Sequence, residues 1–453
     1  MNFYLPQIFL QRMRQLLQDD EYKAYLSLLT RPYFKGVRIN TLKYSADKAR
    51  ALFDFALQPS PFCRNGYYIP YQAQALGKTA MHHAGAFYVQ EPSATSAVTV
   101  LAPEKGDKVL DLCAAPGGKS TQIGAQLAGS GLLWSNEVVK NRTGALLSNI
   151  ERMGIRNAVV SCCHPQQLCD SLAGFFDKVL VDAPCSGEGM FRKDEQARLQ
   201  WSETYVRACA ERQLSILQSA AKAVKAGGVL VYSTCTFSAE ENEGVLEKFL
   251  QRENTFVLED ANVPFGRPAM EKARRIFPMD GGEGHFVARL RKQPGSEGGC
   301  AATPCLYSDP FTGKNKPLRS LAEELYDSIF QYRIFGSRFA MEGDRILLLP
   351  KDLPQLHGLH VLRAGVLLGQ VRKNRIEPAH GAFMAATPGA VALEIPLCAK
   401  SDMAARFLRG EEIPCEKGQK GYAAVSVDGV ITGFGKCVNG ILKNKYPKGL
   451  RNI

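Results

Sequence analysis

The sequence predicts an α/β protein built around a parallel sheet covered by helices on both faces, with smaller α+β units before and after it. From about residue 107 to residue 292, apolar strand-like segments alternate with helical segments, and the first strand ends at a glycine-rich turn. The flanking regions lack this alternation. Repeated strand–helix units form parallel sheets, and ligands bind such sheets at the carboxyl ends of the strands.

The size and charge of the chain are those of a multidomain protein that meets a polyanion. Its 453 residues allow two or three domains. The net charge of +12 favours nucleic acid as a partner, and a basic surface that serves only solubility is the alternative. The 13 cysteines form no dense disulfide framework, and no apolar stretch is long enough for a membrane span. Arg12 and Arg14 interrupt the first apolar stretch, so no secretory signal is expected. We therefore expect a cytoplasmic protein with reduced thiols.

The N-terminal region reads as a small α+β unit. Apolar residues near helical spacing predict one amphipathic helix over 7–29, which Arg31-Pro32 ends. A strand at 37–40 and a helix at 46–56 follow.

The central alternation predicts a regular series of strands and helices. Strands are expected at 109–112, 132–136, 158–162, 178–181, 228–233 and 285–290, and helices at 117–128, 138–153, 195–225 and 239–252. The last 150 residues contain short strands, including a hairpin at Asp428-Gly429. We place domain boundaries at 1–80, 81–292, 306–380 and 381–453, with a linker at 293–305 rich in glycine and polar residues.

The turn after the first strand predicts a nucleoside site. It reads Asp111-Leu-Cys-Ala-Ala-Pro-Gly-Gly-Lys-Ser120, and its small residues let backbone approach a ligand closely. Glu137 ends the second strand, where a carboxylate can accept hydrogen bonds from both ribose hydroxyls. The turn is not GxGxxG, so a nucleoside without phosphates fits better than a dinucleotide.

Two cysteines follow neighbouring strands. Asp182-Ala-Pro-Cys185 ends the fourth strand and Ser233-Thr-Cys235 ends the fifth, so all three functional side chains are expected in one crevice beside the glycine-rich turn. Cysteine suits nucleophilic catalysis because its thiolate is accessible near neutral pH. The spacing alone leaves open which cysteine attacks.

Three long motifs in this order carry a specific resemblance. They are Cys113–Lys119, Val181–Asp194 and Tyr232–Glu243, and together they resemble the Nop2/Sun-like family of RNA cytosine-5 methyltransferases. The resemblance implies a Rossmann-like class I methyltransferase core at 81–292 and S-adenosylmethionine as cofactor. It also implies a reaction in which a thiolate adds to C6 of cytosine, C5 takes the methyl group, and the thiolate is then expelled.

The resemblance also implies the roles of the reacting residues. In the RNA family the thiol of the Thr-Cys pair attacks, whereas in DNA cytosine-5 methyltransferases the Pro-Cys thiol attacks. Cys235 is therefore expected to be the nucleophile and Cys185 to assist release, with Asp182 on the N3/N4 edge of cytosine and near the cofactor. The residues expected to bind cofactor are Cys113, Ala114, Ala115, Pro116, Gly117, Gly118, Lys119, Glu137, Arg142, His164 and Asp182.

Two of these positions have competing interpretations. Arg142 follows the ribose-binding acid, and a solvated helix residue is the alternative. The family usually carries an acid or amide after the third strand, but this stretch reads Ser161-Cys-Cys-His-Pro-Gln-Gln167, so His164 or a backbone amide is the expected substitute. The nearby cysteines match no zinc spacing, and no metal is expected.

The flanking segments resemble those of bacterial small-subunit ribosomal RNA methyltransferases of the F type. Residues 36–43 resemble the RNA-binding extension of the wider family, and the tail resembles a small α+β domain followed by a PUA-like RNA-binding barrel. This implies 16S ribosomal RNA as substrate, within the 30S subunit, for a monomeric enzyme. Phe191-Arg-Lys193 and Lys443–Arg451 are candidate RNA contacts, with ordinary surface charge as the alternative. Transfer RNA as substrate and a non-catalytic assembly factor remain the competing functions.

Overall fold

The N-terminal unit combines two helices with a four-stranded antiparallel sheet. The computed structural model describes residues 5–73, 75–296, 302, 309–331, 338–373, 375–387 and 389–452. The helices are α1 (Gln7–Leu16), α2 (Asp19–Leu29) and the short α3 (Ala80–His83). The strands are β1 (Lys35–Ile39), β2 (Gln58–Pro59), β3 (Gly66–Ile69) and β4 (Phe87–Gln90), in the order β2-β3-β1-β4.

The single helix predicted over 7–29 is wrong, because the helix is interrupted between Leu16 and Asp19. Gln18 adopts an extended conformation and caps α2, and its own N–H donates to Glu21 at 3.1 Å. Acidic side chains in the first turn of α2 stabilise the new helix start. The helix predicted at 46–56 is a 3-10 helix, Ala46–Leu52.

The central sheet contains five parallel strands in the order β7-β6-β5-β8-β9. They are β5 (Lys108–Asp111), β6 (Leu132–Asn136), β7 (Ala158–Ser161), β8 (Phe176–Asp182) and β9 (Val224–Thr234). The helices are α4 (Ser96–Leu101), α5 (Gly118–Leu127), α6 (Lys140–Arg152), α7 (Pro165–Ser171), α8 (Glu195–Gln200), α9 (Glu203–Ala223) and α10 (Glu243–Arg252). The predicted α/β core and its strand positions are confirmed.

The sheet is mixed and not wholly parallel, which corrects the sequence prediction. The strands β10 (Phe256–Glu259), β11 (Arg267–Ala269), β12 (Ala273–Ile276) and β13 (His285–Lys292) add antiparallel pairs beyond β9. Alternate residues of the parallel strands face opposite cores. Leu110 packs with residues of α7, α9 and α10, and Val109 packs with residues of α4, α5 and α6.

The C-terminal region forms two further sheets. Helix α11 (Leu318–Ile329) precedes β14 (Arg338–Glu342), β15 (Arg345–Leu349), β16 (Val361–Ala364), β17 (Val366–Arg372) and β18 (Arg375–Pro378). Strand β16 leaves this unit and pairs with β7 at the edge of the central sheet. Most of the linker predicted at 293–305 lies outside the described residues.

The last unit is a five-stranded sheet with two helices. It contains α12 (His380–Met384), β19 (Glu394–Leu397), α13 (Asp402–Arg409), β20 (Ile413–Pro414), β21 (Gly421–Val427), β22 (Val430–Val438) and β23 (Ile441–Asn444). The hairpin predicted at Asp428-Gly429 is confirmed, because Val427 pairs with Val430 and both turn residues have positive φ. Within the described ranges, no helix is long and apolar enough to cross a membrane.

Candidate active site

The glycine-rich turn connects β5 to α5 and is braced from α6. Gly117 has φ of +113°, a conformation that side chains rarely adopt, and a Cβ there would lie 3.3 Å from Leu146 and Asn149 of α6. Arg142 donates to the carbonyl of Ala115 at 2.7 Å, and Asn149 donates to the carbonyl of Pro116 at 2.9 Å. The Ala115–Pro116 peptide is cis. The turn thus keeps its backbone in close contact with α6.

Asp111 ends β5 beneath this turn and has an unused acceptor. It is fully buried, Ser120 donates to its Oδ2 at 2.6 Å, and its Oδ1 has no partner among the described residues. Burial raises its pKa to about 7. Burial and the Asp111 carboxylate together raise the pKa of Cys113 well above its usual value. An unpaired buried oxygen beside a glycine-rich turn fits a polar, cationic cofactor such as S-adenosylmethionine.

Glu137 and Arg142 form an ion pair beyond the end of β6. Glu137 is nearly buried and accepts the N–H of Val139 at 2.9 Å, and its other oxygen lies 3.3 Å from an Arg142 nitrogen. Arg142 therefore connects the carboxylate to the carbonyl of Ala115. The Arg142 side chain is still about half exposed, at 52%, so cofactor binding by this residue stays a prediction.

The segment after β7 offers less to a ligand than the sequence suggested. His164 is exposed at the start of α7, and no described contact joins its ring to the turn. The backbone N–H groups of Cys162 and Cys163 are already used, by the His360 carbonyl and by Asn136 Oδ1 at 3.0 Å each. Sequence reasoning missed Asn136, which connects the glycine-rich turn to this segment. Its carbonyl accepts the N–H of Ala114, and its side chain donates to the carbonyl of Cys163.

The two candidate thiols are in direct contact. Cys185 Sγ lies 3.3 Å from Cys235 Sγ. The hydrogen bond with Cys235 and burial raise the pKa of Cys185 well above its usual range. Cys185 therefore keeps its proton more firmly than an exposed thiol.

Asp182 joins the thiol pair to the glycine-rich turn. Lys119, which follows Gly118 in α5, donates to Asp182 Oδ2 at 2.7 Å, and Ser233 donates to Oδ1 at 2.8 Å. Burial alone would lower the pKa of Lys119, but the Asp182 carboxylate raises it above its usual value. Lys119 and Asp182 thus form an ion pair that connects the glycine-rich turn to the end of β8.

The Pro-Cys loop is held by a buried polar network. Glu241 accepts hydrogen bonds from the N–H of Ser186 at 2.9 Å and from Gln213 at 2.8 Å. Gln213 also donates to the carbonyl of Pro184 at 3.0 Å. Burial raises the pKa of Glu241 to about 7. The network fixes the backbone on both sides of Cys185.

Sequence reasoning missed a second buried cluster near Lys119 and Asp182. Ser93 donates to Glu91 at 2.6 Å and lies 2.8 Å from His285 Nδ1. Burial lowers the pKa of His285 to about 4, so its ring is neutral at pH 7. Glu91-Pro-Ser before an apolar helix is a capping pattern that could have drawn attention, whereas nothing local marks His285.

Arg38 is another missed residue, and it joins the N-terminal sheet to α5. This buried side chain on β1 donates to the carbonyl of Gly118 at 3.1 Å and to Thr121 at 2.8 Å. The first residues of α5 are therefore supported from outside the central domain.

Two of the three residues considered for RNA contact after the Pro-Cys loop are structural. Phe191 is buried against Phe9 of α1, with ring centroids 4.9 Å apart, and Arg192 forms a buried ion pair with Glu283 at 3.0 Å. Lys193 is exposed. In the C-terminal segment Tyr446 is buried while the lysines around it are exposed. Among the described residues, no cluster of three or more His, Cys, Asp or Glu side chains could hold a metal ion.

Four family models match separate segments that together make up most of the chain. They are the N-terminal domain of 16S rRNA methyltransferase RsmF at residues 5–92, 16S rRNA methyltransferase RsmB/F at 98–291, the RsmF rRNA methyltransferase first C-terminal domain at 324–385, and the methyltransferase RsmF PUA domain at 397–452. These matches confirm the predicted class of fold, with a methyltransferase core between an N-terminal extension and a PUA-like end.

The similar proteins agree with these matches. Ribosomal RNA small subunit methyltransferase F of Vibrio vulnificus is 35% identical over 99% of this chain and 98% of its own length. A methyltransferase homologue from Pyrococcus horikoshii has a similar solved structure, with TM-score 0.56 and 26% identity over 64% of this chain and 96% of its own. NSun6 from Pyrococcus horikoshii with SFG shares the fold, with TM-score 0.57 and 24% identity over 63% of this chain and 98% of its own.

Proposed function

Because the chain belongs to the ribosomal RNA small subunit methyltransferase F family, we propose that it methylates C5 of a cytidine in 16S ribosomal RNA. S-adenosylmethionine is its methyl donor and ribosomal RNA its class of substrate. The observation that carries the cytosine-5 assignment is the contact between Cys185 and Cys235 beside Asp182. We infer further that the 16S RNA is presented within the 30S subunit.

Cys235 is the attacking thiol in this proposal. Its thiolate adds to C6 of cytosine, which makes C5 an enamine carbon able to accept a methyl group. Cys185 Sγ lies 3.3 Å from Cys235 Sγ, close enough to hydrogen-bond it, and the choice of Cys235 as the attacking thiol rests on its Thr-Cys motif. Cys185 then assists loss of the C5 proton and expulsion of Cys235.

Asp182 and Lys119 position the reacting groups. Asp182 accepts a hydrogen bond from Lys119 on one oxygen and from Ser233 on the other. Its carboxylate is therefore fixed in orientation at the strand end. From there it accepts a hydrogen bond from the N4 amino group at the N3/N4 edge of cytosine and stabilises the activated ring. Lys119 donates to that carboxylate at 2.7 Å and holds it in place.

The residues around the glycine-rich turn hold the cofactor. The cofactor supplies an electrophilic methyl group on a sulfonium centre. Glu137 accepts the ribose hydroxyls, and the unpaired Oδ1 of Asp111 is available to a donor on the cofactor. Residues Cys113 to Lys119 form the turn against which the cofactor lies. Ala114 and Gly118 are small, and Pro116 makes the backbone rigid. The exposed His164 is the weakest of the proposed contacts.

Single-cysteine variants test the assignment of the two thiols. We expect Cys185→Ala, incubated with S-adenosylmethionine and 30S subunits, to accumulate a covalent protein–RNA adduct that survives denaturing electrophoresis. Cys235→Ala should give neither adduct nor methylation. An adduct with Cys235→Ala and none with Cys185→Ala would reverse the two roles.

The position of the methyl group is tested by bisulfite sequencing of 16S RNA from cells with and without the gene. A cytidine that resists conversion only when the gene is present supports the proposal. Reconstituted reactions with 30S subunits, free 16S RNA and free transfer RNA identify the substrate. Methylation of transfer RNA alone would overturn the ribosomal assignment.

A further inference from the structure

The two thiols of the candidate active site lie close enough to react with each other. Cys185 Sγ and Cys235 Sγ are 3.3 Å apart, and both residues are free cysteines. The S–S bond of a disulfide is about 2.05 Å long, so the two sulfur atoms need to approach by only about 1.3 Å to form one. Both residues are only partly buried, which leaves them open to a small oxidant.

The two chain segments that carry these thiols are fixed side by side. Asp182 on β8 lies opposite Ser233 on β9 in parallel register. Neighbouring strands lie about 4.8 Å apart, a separation that a disulfide spans. Gly189 donates its N–H to the carbonyl of Cys235 at 2.9 Å, so the Pro-Cys loop stays attached to the segment after β9. Rotation of two short side chains therefore brings the sulfur atoms together.

Other cysteines of the described chain are less suited to oxidation. Cys63, Cys163, Cys169 and Cys209 are buried, and thiols in buried apolar surroundings are inert because their charged form is disfavoured.

A second thiol contact lies in the C-terminal unit and provides an internal comparison. Burial and a hydrogen bond with Cys415 raise the pKa of Cys437 to about 12. Cys437 is buried on β22, and no part of the proposed reaction requires it to ionise.

The proposed reaction requires Cys235 as a thiolate, which is also the form that peroxides oxidise. Its sulfur attacks one oxygen of hydrogen peroxide, the O–O bond breaks, and a sulfenic acid and hydroxide form. The hydroxide takes up the proton that Cys235 had released. The sulfur of Cys185 then displaces the sulfenic hydroxyl, which leaves with the Cys185 proton as water. Two thiols are thus oxidised to one disulfide, and one peroxide is reduced to two waters.

We propose that Cys185 and Cys235 form a reversible disulfide when the enzyme meets hydrogen peroxide, and that this disulfide switches off RNA methylation. Neither sulfur of the disulfide can add to C6 of cytosine. Arg142 and Asn149, which support the glycine-rich turn, make no contact with the pair, so the cofactor still binds. Closing the disulfide also protects the nucleophile, because a sulfenic acid without a nearby thiol is oxidised irreversibly. This inference rests on the proposed function, since it takes Cys235 as the attacking thiol.

The test maps the disulfide on the full chain. The protein without RNA is treated with a few equivalents of hydrogen peroxide, free thiols are blocked with iodoacetamide, and unreduced peptides are identified by mass spectrometry. We expect a linked peptide pair that joins Cys185 to Cys235. Methylation of 30S subunits should be lost with it and restored by dithiothreitol, whereas calorimetry should show unchanged affinity for S-adenosylmethionine.

Two variants serve as controls. Cys437→Ser removes the other thiol contact and should give the same linked peptide pair as the parent. Cys185→Ser keeps the proposed nucleophile without its partner. Its Cys235 should therefore pass to sulfinic acid, which dithiothreitol does not reverse.

Two results would overturn the inference. One is the absence of a peptide pair joining Cys185 to Cys235, whether the thiols stay free or are oxidised further. The other is a linked protein that still methylates RNA. Because the disulfide is mapped by mass and cofactor binding is measured by calorimetry, a failure of the cytosine-5 proposal would show separately, in bisulfite sequencing.

Discussion

Asp182 joins the two halves of the candidate site, because each of its oxygens has its own donor. Lys119 comes from the glycine-rich turn and Ser233 from β9, the strand that Cys235 directly follows. We expect Asp182→Asn to lower the single-turnover rate of RNA methylation about 10²–10³-fold, since it removes a fixed charge from the reacting centre.

Ser233→Ala is the control for that substitution. It removes one neutral donor and leaves the carboxylate and Lys119 in place, so the expected loss is about tenfold or less. If the two variants lost equal activity, the charge of Asp182 would not be its important property.

Asp111 makes stability depend on pH in a definite direction. Its pKa is about 7 in the folded protein, because it is buried, and about 4 when the chain is unfolded. Between these values the folded state binds more protons, so the contribution of Asp111 to the free energy of unfolding falls as pH rises. Asp111→Asn should reduce the loss of stability between pH 4 and pH 7 by about 2–4 kcal/mol, measured by urea unfolding. An unchanged pH slope would contradict this.

The sequence could identify site residues that lie together in one short motif. The run Cys113–Lys119 and the two Cys dipeptides are of this kind. Arg38 and His285 are not, because their partners lie far along the chain: Arg38 bonds Thr121 and His285 contacts Ser93. Only tertiary folding brings them to the site, so no local pattern marks them.

At the scale of elements, the Pro-Cys loop and the strand bearing Cys235 depend on close backbone contact. Gly189 donates its N–H to the carbonyl of Cys235 at 2.9 Å, and a Cβ on Gly189 would lie 2.6 Å from the carbonyl of Gly284. Gly189→Ala must therefore move backbone next to the thiols. We expect it to cost about 1–3 kcal/mol in urea unfolding and to abolish adduct formation in the Cys185→Ala background.

Gly144→Ala on α6 provides the contrast. Nothing lies within 4 Å of a Cβ at Gly144, and the residue is inside a helix. This variant should gain about 0.5–1 kcal/mol and keep full activity. Equal behaviour of the two glycine variants would show that the contact at Gly189 is not restrictive.

The sequence predicted the elements that are determined by a local pattern of apolar residues. It missed the elements that depend on which strand they pair with. Apolar strands β5 to β9 alternate with helices and were found. The edge strands β11 and β16 are short, and their direction depends on partners elsewhere in the chain. The break before α2 depends on a cap at Gln18, a residue that does not interrupt the apolar pattern.

At the scale of the whole molecule, the flanking units contact the catalytic domain and each other. Strand β16 extends the central sheet, and Tyr446 of the last unit lies 2.7 Å from His83 in the N-terminal unit. These contacts place the N-terminal sheet and the PUA-like unit on one continuous body. Family resemblance predicted that both units are present, but their packing against the core required the structure.

The ion pair between Arg192 and Glu283 is one of the buried polar links between the N-terminal segment and the site. Glu283 also accepts the N–H of Phe34, and Arg192 donates to the carbonyls of Arg31 and Pro32. Because burial raises the pKa of Glu283 to about 7, the pair is best measured at pH 8, where the carboxylate is ionised. We expect Arg192→Met to lower the free energy of unfolding by about 3–5 kcal/mol, since it leaves a buried charge unpaired.

A double-variant cycle with Glu283→Gln isolates the pair itself. The combined variant should lose less stability than the sum of the two single variants, because neither leaves a charge behind once both are changed. Limited proteolysis should cut between α2 and β1 faster in Arg192→Met than in the parent, because Arg31 and Pro32 lose their donor. Strict additivity, together with unchanged proteolysis, would mean that α1 and α2 are held by the aromatic contacts around Phe9 and not by this ion pair.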